Sequence, residues 1–165
     1  MDNPCQPFGR WLVLAAWVVV IDQASKLLVD ANMALHQSIP LLPGLNLTYV
    51  HNTGAAFSFL SGAGGWQRWF FAGLALVVCV ALPIWLQRLK AHETLLACAL
   101  SLVWGGAAGN LIDRLLYGYV IDFIDVYYQN WHWPAFNIAD SAICVGVGLM
   151  ILESFGAGGR RPHES

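Results

Sequence analysis

The sequence predicts an integral membrane protein, mainly α, built as a bundle of four transmembrane helices. Two observations carry that prediction. Of the 165 residues 58% are hydrophobic and only 11% charged, and the mean hydropathy is +0.57, far from a soluble balance. The apolar residues also gather into four stretches, each close to the roughly 20 residues that a spanning helix needs. A formal net charge of −2, with no basic run, argues against nucleic acid as a partner. The length suits a single membrane-embedded domain over residues 1–165.

The first span is expected at about Trp11 to Val29. It follows Arg10 like a signal peptide, but Asp22 and Lys26 come next instead of a small-residue cleavage site, so it reads as a retained helix. The second, about Trp69 to Leu86, carries Pro83 near its end, which a transmembrane helix tolerates with a local kink. The third and fourth are expected at about Thr94 to Leu111 and about Ile138 to Phe155. Arg10, Arg88, Lys90, Arg160 and Arg161 fall on one side against Lys26, Arg68 and Arg114 on the other, which places both termini in the cytoplasm. Asp22, Asp30, Asp113, Asp122, Asp125 and Asp140 then crowd the external side.

Two external connections, about 30–68 and 112–137, are long for so small a protein, and long loops of that kind usually carry function. In the first, "PGLNLTYV" (Pro43 to Val50) alternates Leu45, Leu47 and Tyr49 with Asn46 and Thr48, as a half-buried strand does, before "HNTG" (His51 to Gly54) turns. The aromatic residues of the second, from Tyr117 to Trp133, suit a headgroup-level belt. Cys79, Cys98 and Cys144 lie in apolar runs and read as small buried residues, while Cys5 stands alone near the N-terminus.

Chemistry concentrates in an internal echo, Asn-x-x-Asp, at Asn110 to Asp113 and again at Asn137 to Asp140. In the second copy Asn137 and Asp140 have the spacing of a capping box, which alone would explain an acid at the mouth of an apolar helix. In the first copy the acid sits near a helix C-terminus, against the dipole, and an ion pair between Asp113 and Arg114 is the simpler account. Arg114 also lies one turn from Asn110, a spacing equally suited to structural anchoring and to holding a peptide backbone.

Asp122, inside "YVIDFIDV", is flanked by Val120, Ile121, Phe123 and Ile124, a segment too apolar for an exposed loop, whereas Asp125 can face water. Desolvation would raise the Asp122 pKa, and a carboxylate folded back against Asp140 would share one proton with it. Such a pair can activate water against a carbonyl without a metal. Asp22 and Lys26, four residues apart on one face of a helix, predict a buried ion pair that ties helices together.

Other chemistries lack their residues: there is no Gly-x-Ser-Gly elbow, no His-Glu-x-x-His and no Gly-x-Gly-Asp, and the five histidines are scattered. Ser25 and Lys26 are adjacent and point to different helix faces. No metal site and no cofactor are expected. A small carboxylate-relay transporter or proton channel is the rival reading of intramembrane acids, but here they cluster toward one face and the second span is clean. A non-catalytic scaffold would leave the apolar setting of Asp122 unexplained.

Taken in order, "DQASK", "NTGAAFSFL", "GGAAGNLIDRLLYGYVIDFIDV" and "FNIADSAICVG" resemble the lipoprotein signal peptidase (signal peptidase II) family of bacteria, aspartic peptidase family A8, over nearly the whole chain. The resemblance implies a four-helix endopeptidase of the bacterial cytoplasmic (inner) membrane with its active site toward the periplasmic face, and a monomer is expected. It also implies a small external β-sheet cradle in the first external loop. The implied substrate is a diacylglyceryl-modified prolipoprotein in the lipid bilayer, cut just before the lipidated cysteine. The catalytic aspartates carry over onto Asp122 and Asp140, and the supporting positions onto Asp22, Lys26, Asn52, Gly54, Asn110, Asp113, Arg114 and Asn137. Asn52 and Arg114 would hold peptide carbonyls, and Gly54 to Leu60 would form a flap over the groove.

Overall fold

A computed structural model describes residues 6–54 and 66–158. Four membrane-spanning helices, α1 (Phe8–Asn32), α2 (Trp66–Gln87), α3 (Thr94–Leu116) and α4 (Ile138–Gly158), are long and apolar enough to cross a bilayer. Half of the apolar window of α3 is buried, against 11% for α2 and α4, so α3 is the central post and the others lean on it.

Small residues allow that centre to form, because helices in lipid associate through close packing rather than through exclusion of water. A Cβ on Gly105 would lie 2.7 Å from the Ala15 carbonyl oxygen of α1, and one on Gly106 would overlap the Ala139 carbonyl of α4. From the opposite direction, Gly146 of α4 meets the Ala99 carbonyl of α3 in the same way. The "GGAAG" run therefore lets two neighbouring helices touch α3 backbone to backbone. At one end of the bundle Trp11, Leu86, Leu89, Ala97 and Leu100 form an apolar cluster.

The other end carries one four-stranded antiparallel sheet in the order β1 (Ser38–Leu42), β2 (Leu45–Asn52), β3 (Val120–Tyr128), β4 (Trp131–His132). The sheet extends beyond the first long connection, since the second contributes β3 and β4. The apolar stretch that flanks Asp122 is thus a strand covered on both faces. Its Ile121 and Phe123 pack with Tyr49 of β2 and with Val29 and Met33 at the end of α1.

Three sequence expectations change. The third helix runs past the expected end at Leu111, so Asp113 and Arg114 are helical. Asp125, expected to face water, is 6% exposed and accepts hydrogen bonds from Asn46 and Thr48 across the sheet. Of the cysteines, Cys79 and Cys98 are half-buried and Cys144 is exposed on the outer surface of α4, where lipid rather than protein would cover it. Most of the expected flap, Ala55 to Leu60, lies outside the described residues, as does Cys5.

Candidate active site

Polar side chains from α1, α3, β3 and α4 meet where the sheet joins the bundle. At the base, Lys26 Nζ lies 2.8 Å from Asp22 Oδ2 and 2.8 Å from Asp113 Oδ2, and donates to Asn110 Oδ1 at 3.0 Å. All three ionised groups are at most 2% exposed. Charges at that depth persist only when paired and fully hydrogen-bonded, and here the three ammonium protons have three acceptors.

Gly109 makes room for this. A Cβ there would sit 2.5 Å from Asp22 Oδ2. Asp22 Oδ1 in turn accepts from the Ala139 backbone N–H at 2.9 Å, tying α1 to the first turn of α4. The expected pair between Asp113 and Arg114 does not form. Successive helical side chains diverge around the axis, so Asp113 faces Lys26 of α1. Arg114 instead donates to the Asn110 carbonyl at 3.0 Å and lies over the Phe71 ring of α2.

Lys26 can only donate, so it fixes the orientation of the Asn110 amide: the oxygen faces the ammonium, and the nitrogen donates to Asp140 Oδ1 at 2.8 Å. Asn137 is fixed in the same way. Its side-chain oxygen accepts from the Asp140 N–H at 2.9 Å while Asp140 Oδ2 accepts from the Asn137 N–H at 3.2 Å, the reciprocal capping box that the sequence suggested. The Asn137 amide nitrogen is thereby turned to Asp122 Oδ1, at 2.7 Å. Asn52 Nδ2 donates to the other oxygen, Asp122 Oδ2, at 2.8 Å. Gly54 holds Asn52 in that orientation, its N–H donating to Asn52 Oδ1 at 2.8 Å. A side chain at Gly54 would meet the Phe71 ring, and its φ of +99° suits glycine.

Backbone pairing sets the spacing between the two aspartates. The Phe136 carbonyl accepts from the N–H groups of Phe123 and Ile124, and the Phe136 N–H donates to the Ile124 carbonyl. The residue before the α4 cap is thus fastened to the strand that carries Asp122. Asp122 is 1% exposed, and burial together with the Asp140 charge pushes it up to about 7, against the pull of Asn52, Asn137 and Lys26. With its carboxyl raised to about 7, Asp122 is able both to hold a proton and to release one near neutral pH.

All ten sequence-predicted site residues lie in this one network, although Arg114 and Gly54 enter through backbone contacts. Sequence reasoning missed Gln23, whose Nε2 donates to Asp113 Oδ1 at 2.8 Å and reaches the Gly109 carbonyl at 3.2 Å. An amide inside an apolar span needs partners, and that was the available signal. Also missed was Arg68, which donates to the Arg114 and Leu115 carbonyls and so closes the C-terminus of α3.

Residues 14–156 match the family model described as Signal peptidase (SPase) II. The chain is 54% identical over 156 residues to the lipoprotein signal peptidase of Yersinia enterocolitica serotype O:8, covering 94% of this chain and 92% of that protein. It is 53% identical, with the same coverage, to the lipoprotein signal peptidase of Yersinia pestis strain Pestoides F. A bacterial membrane enzyme structure determined by the in meso method at 2.3 Å superposes with a TM-score of 0.85 at 32% identity, covering 100% of this chain and 99% of that one. A second, at 1.9 Å, gives 0.80 at 34% identity, with 93% and 97% covered. Nothing in these likenesses supports the transporter reading, and the chain belongs to the signal peptidase II family of membrane peptidases.

Proposed function

We propose that this chain removes the signal peptide from diacylglyceryl-modified prolipoproteins, cutting before the lipidated cysteine with Asp122 and Asp140 as the catalytic pair. The observation that carries this reading is the frame of oriented amides: Asn52 and Asn137 donate to Asp122, and Asn110 donates to Asp140. The ionised member of the pair takes a proton from water as the oxygen attacks the scissile carbonyl. The protonated member hydrogen-bonds the carbonyl oxygen as it gains charge. Collapse of the tetrahedral intermediate breaks the C–N bond, and the proton taken from water passes to the leaving amine. Among the described residues, Arg114 keeps guanidinium N–H groups beyond its bond to Asn110 for a substrate carbonyl, and Asn52 keeps a second amide hydrogen.

The Lys and Arg distribution supports cytoplasmic termini, and so a site on the periplasmic side of the inner membrane. Exposed Tyr117, Tyr128, Trp131 and Trp133 at the sheet end suit headgroup depth, where a lipid-anchored peptide bond would arrive. We take the chain to act as a monomer and a single domain, without cofactor. The test is cleavage by the purified protein of one precursor with and without its diacylglyceryl group. Rapid cleavage of the modified form alone is expected, and equal cleavage of both would overturn the substrate assignment.

A further inference from the structure

Strand β2 does not pair with β3 in one register. Leu47 is opposite Ile124 but Val50 is opposite Asp122, so Thr48 and Tyr49 together occupy the place facing Phe123. The extra residue exchanges the faces of β2: beyond it the even-numbered residues Val50 and Asn52, rather than the odd-numbered ones, share the side of Asp122. Without it, strict alternation would turn His51 toward that side and Asn52 away.

Tyr49 sits at this irregularity and is 3% exposed. Its N–H donates to the Gln37 carbonyl and its carbonyl accepts from the His36 N–H, so the turn after α1 grips its backbone. Its hydroxyl donates to Asp30 Oδ1 at the end of α1 and lies 2.7 Å from His51 Nε2. With its one proton directed to Asp30, the phenol oxygen accepts from His51, which assigns the histidine its Nε2–H form. His51 also stacks on Tyr119 at 3.7 Å between ring centroids, beside the Asn52 to Val120 pairing.

We propose that Tyr49, held between Asp30 and His51, is a positioning residue that locks the shifted register of β2 and so presents the Asn52 amide to Asp122. The inference rests on the reading of Asp122 as catalytic. Burial and the Asp30 carboxylate hold the Tyr49 phenol above its ordinary range, and burial holds His51 below its own, against the Asp30 charge and in the same sense as His36. Tyr119 and Tyr117, stacked nearby, complete the titratable groups facing the histidine among the described residues. Around pH 7 the phenol is therefore protonated and the imidazole neutral, the states this arrangement requires.

The experiment compares wild type with Tyr49→Phe, Asn52→Ala and the double variant, measuring kcat, KM, the pH profile and the thermal midpoint on a diacylglyceryl-modified precursor. Tyr49→Phe keeps the ring and loses the hydroxyl. It is expected to lower kcat about tenfold, the worth of a hydrogen bond or so, with KM and thermal midpoint little changed. Because the Asn52 amide favours the ionised form of Asp122, both single variants should move the alkaline limb to higher pH. The double variant should be no worse than Asn52→Ala alone. Should Tyr49→Phe not fold, Asp30→Ala carries the same comparison, and Asp30→Asn, which keeps an acceptor, should restore activity. Effects that multiply in the double variant, or a Tyr49→Phe enzyme with unchanged kcat and pH profile, overturn this inference alone. Full activity in Asn52→Ala and Asp122→Asn overturns the catalytic reading with it.

Discussion

At the end of the bundle away from the sheet, α1 and α3 are held through Trp11, Ala97 and Leu100, while at the sheet end the same two helices meet through Asp22, Lys26, Asn110 and Asp113. The apolar end also carries polar ties through Gln6, which bonds to the backbone of Leu89 and Ala91 and accepts from the Trp11 indole and the Arg10 guanidinium. Shape alone specifies most of it, and a lost methyl group there leaves a small void that neighbours partly close. The polar end has no such tolerance. Among the described residues no buried side-chain nitrogen or oxygen lacks a partner, so removing any one member leaves another unsatisfied at low dielectric. One end contributes stability, and the other spends some of it on a carboxylate kept where ionisation is unfavourable.

Substitutions can break this contrast in order of expected size. Outside the two aspartates, Asn137→Ala should be the most damaging to cleavage, since it removes both the α4 cap and a donor to Asp122. A loss of about 100-fold or more in kcat is expected, measured on purified enzyme with modified precursor. Asp113→Ala leaves Lys26 with one carboxylate instead of two and should cost about 3–5 kcal/mol, read as a large drop in thermal midpoint in detergent. Leu100→Ala, at the apolar end, should cost about 2 kcal/mol and leave kcat near wild type. Cys144→Ser, on the exposed face of α4, should change neither quantity.

The pH dependence follows from Asp122, whose folded-state value is raised. The fold is most favoured with this group protonated, below its ordinary 3.8, and that advantage is lost as pH rises through about 7. Activity should fall on the alkaline side as Asp122 loses its proton. The midpoint should lie near 7 for kcat/KM and higher for kcat, because a bound substrate excludes more water from the site.

Much of the helical scaffold could be read from apolar runs, because a bilayer enforces their length. The Asn137 to Asp140 capping box and the Asp22 to Lys26 pair were legible for a related reason: each is a local spacing on one helix. What stayed hidden depends on contacts between distant segments. Asp113 finds Lys26 only because the glycines of α3 bring α1 close, and nothing in "NLIDR" announces that partner. Asp125 could not be told from a solvated loop acid until β2 supplied Asn46 and Thr48. The extra residue in β2 is likewise invisible in a strand that alternates cleanly through Tyr49. For Asp122 the sequence offered apolar neighbours as a sign of burial, and burial is what raises its pKa.

The central claim is that Asp122 and Asp140 act together on water at the peptide bond. Its most direct test is the cleavage rate of a diacylglyceryl-modified precursor by purified Asp122→Asn and Asp140→Asn enzymes, each checked for a wild-type-like circular dichroism spectrum. The account predicts that both lose essentially all cleavage, by more than about 1,000-fold, while remaining folded. Near-normal cleavage by either folded variant would contradict it.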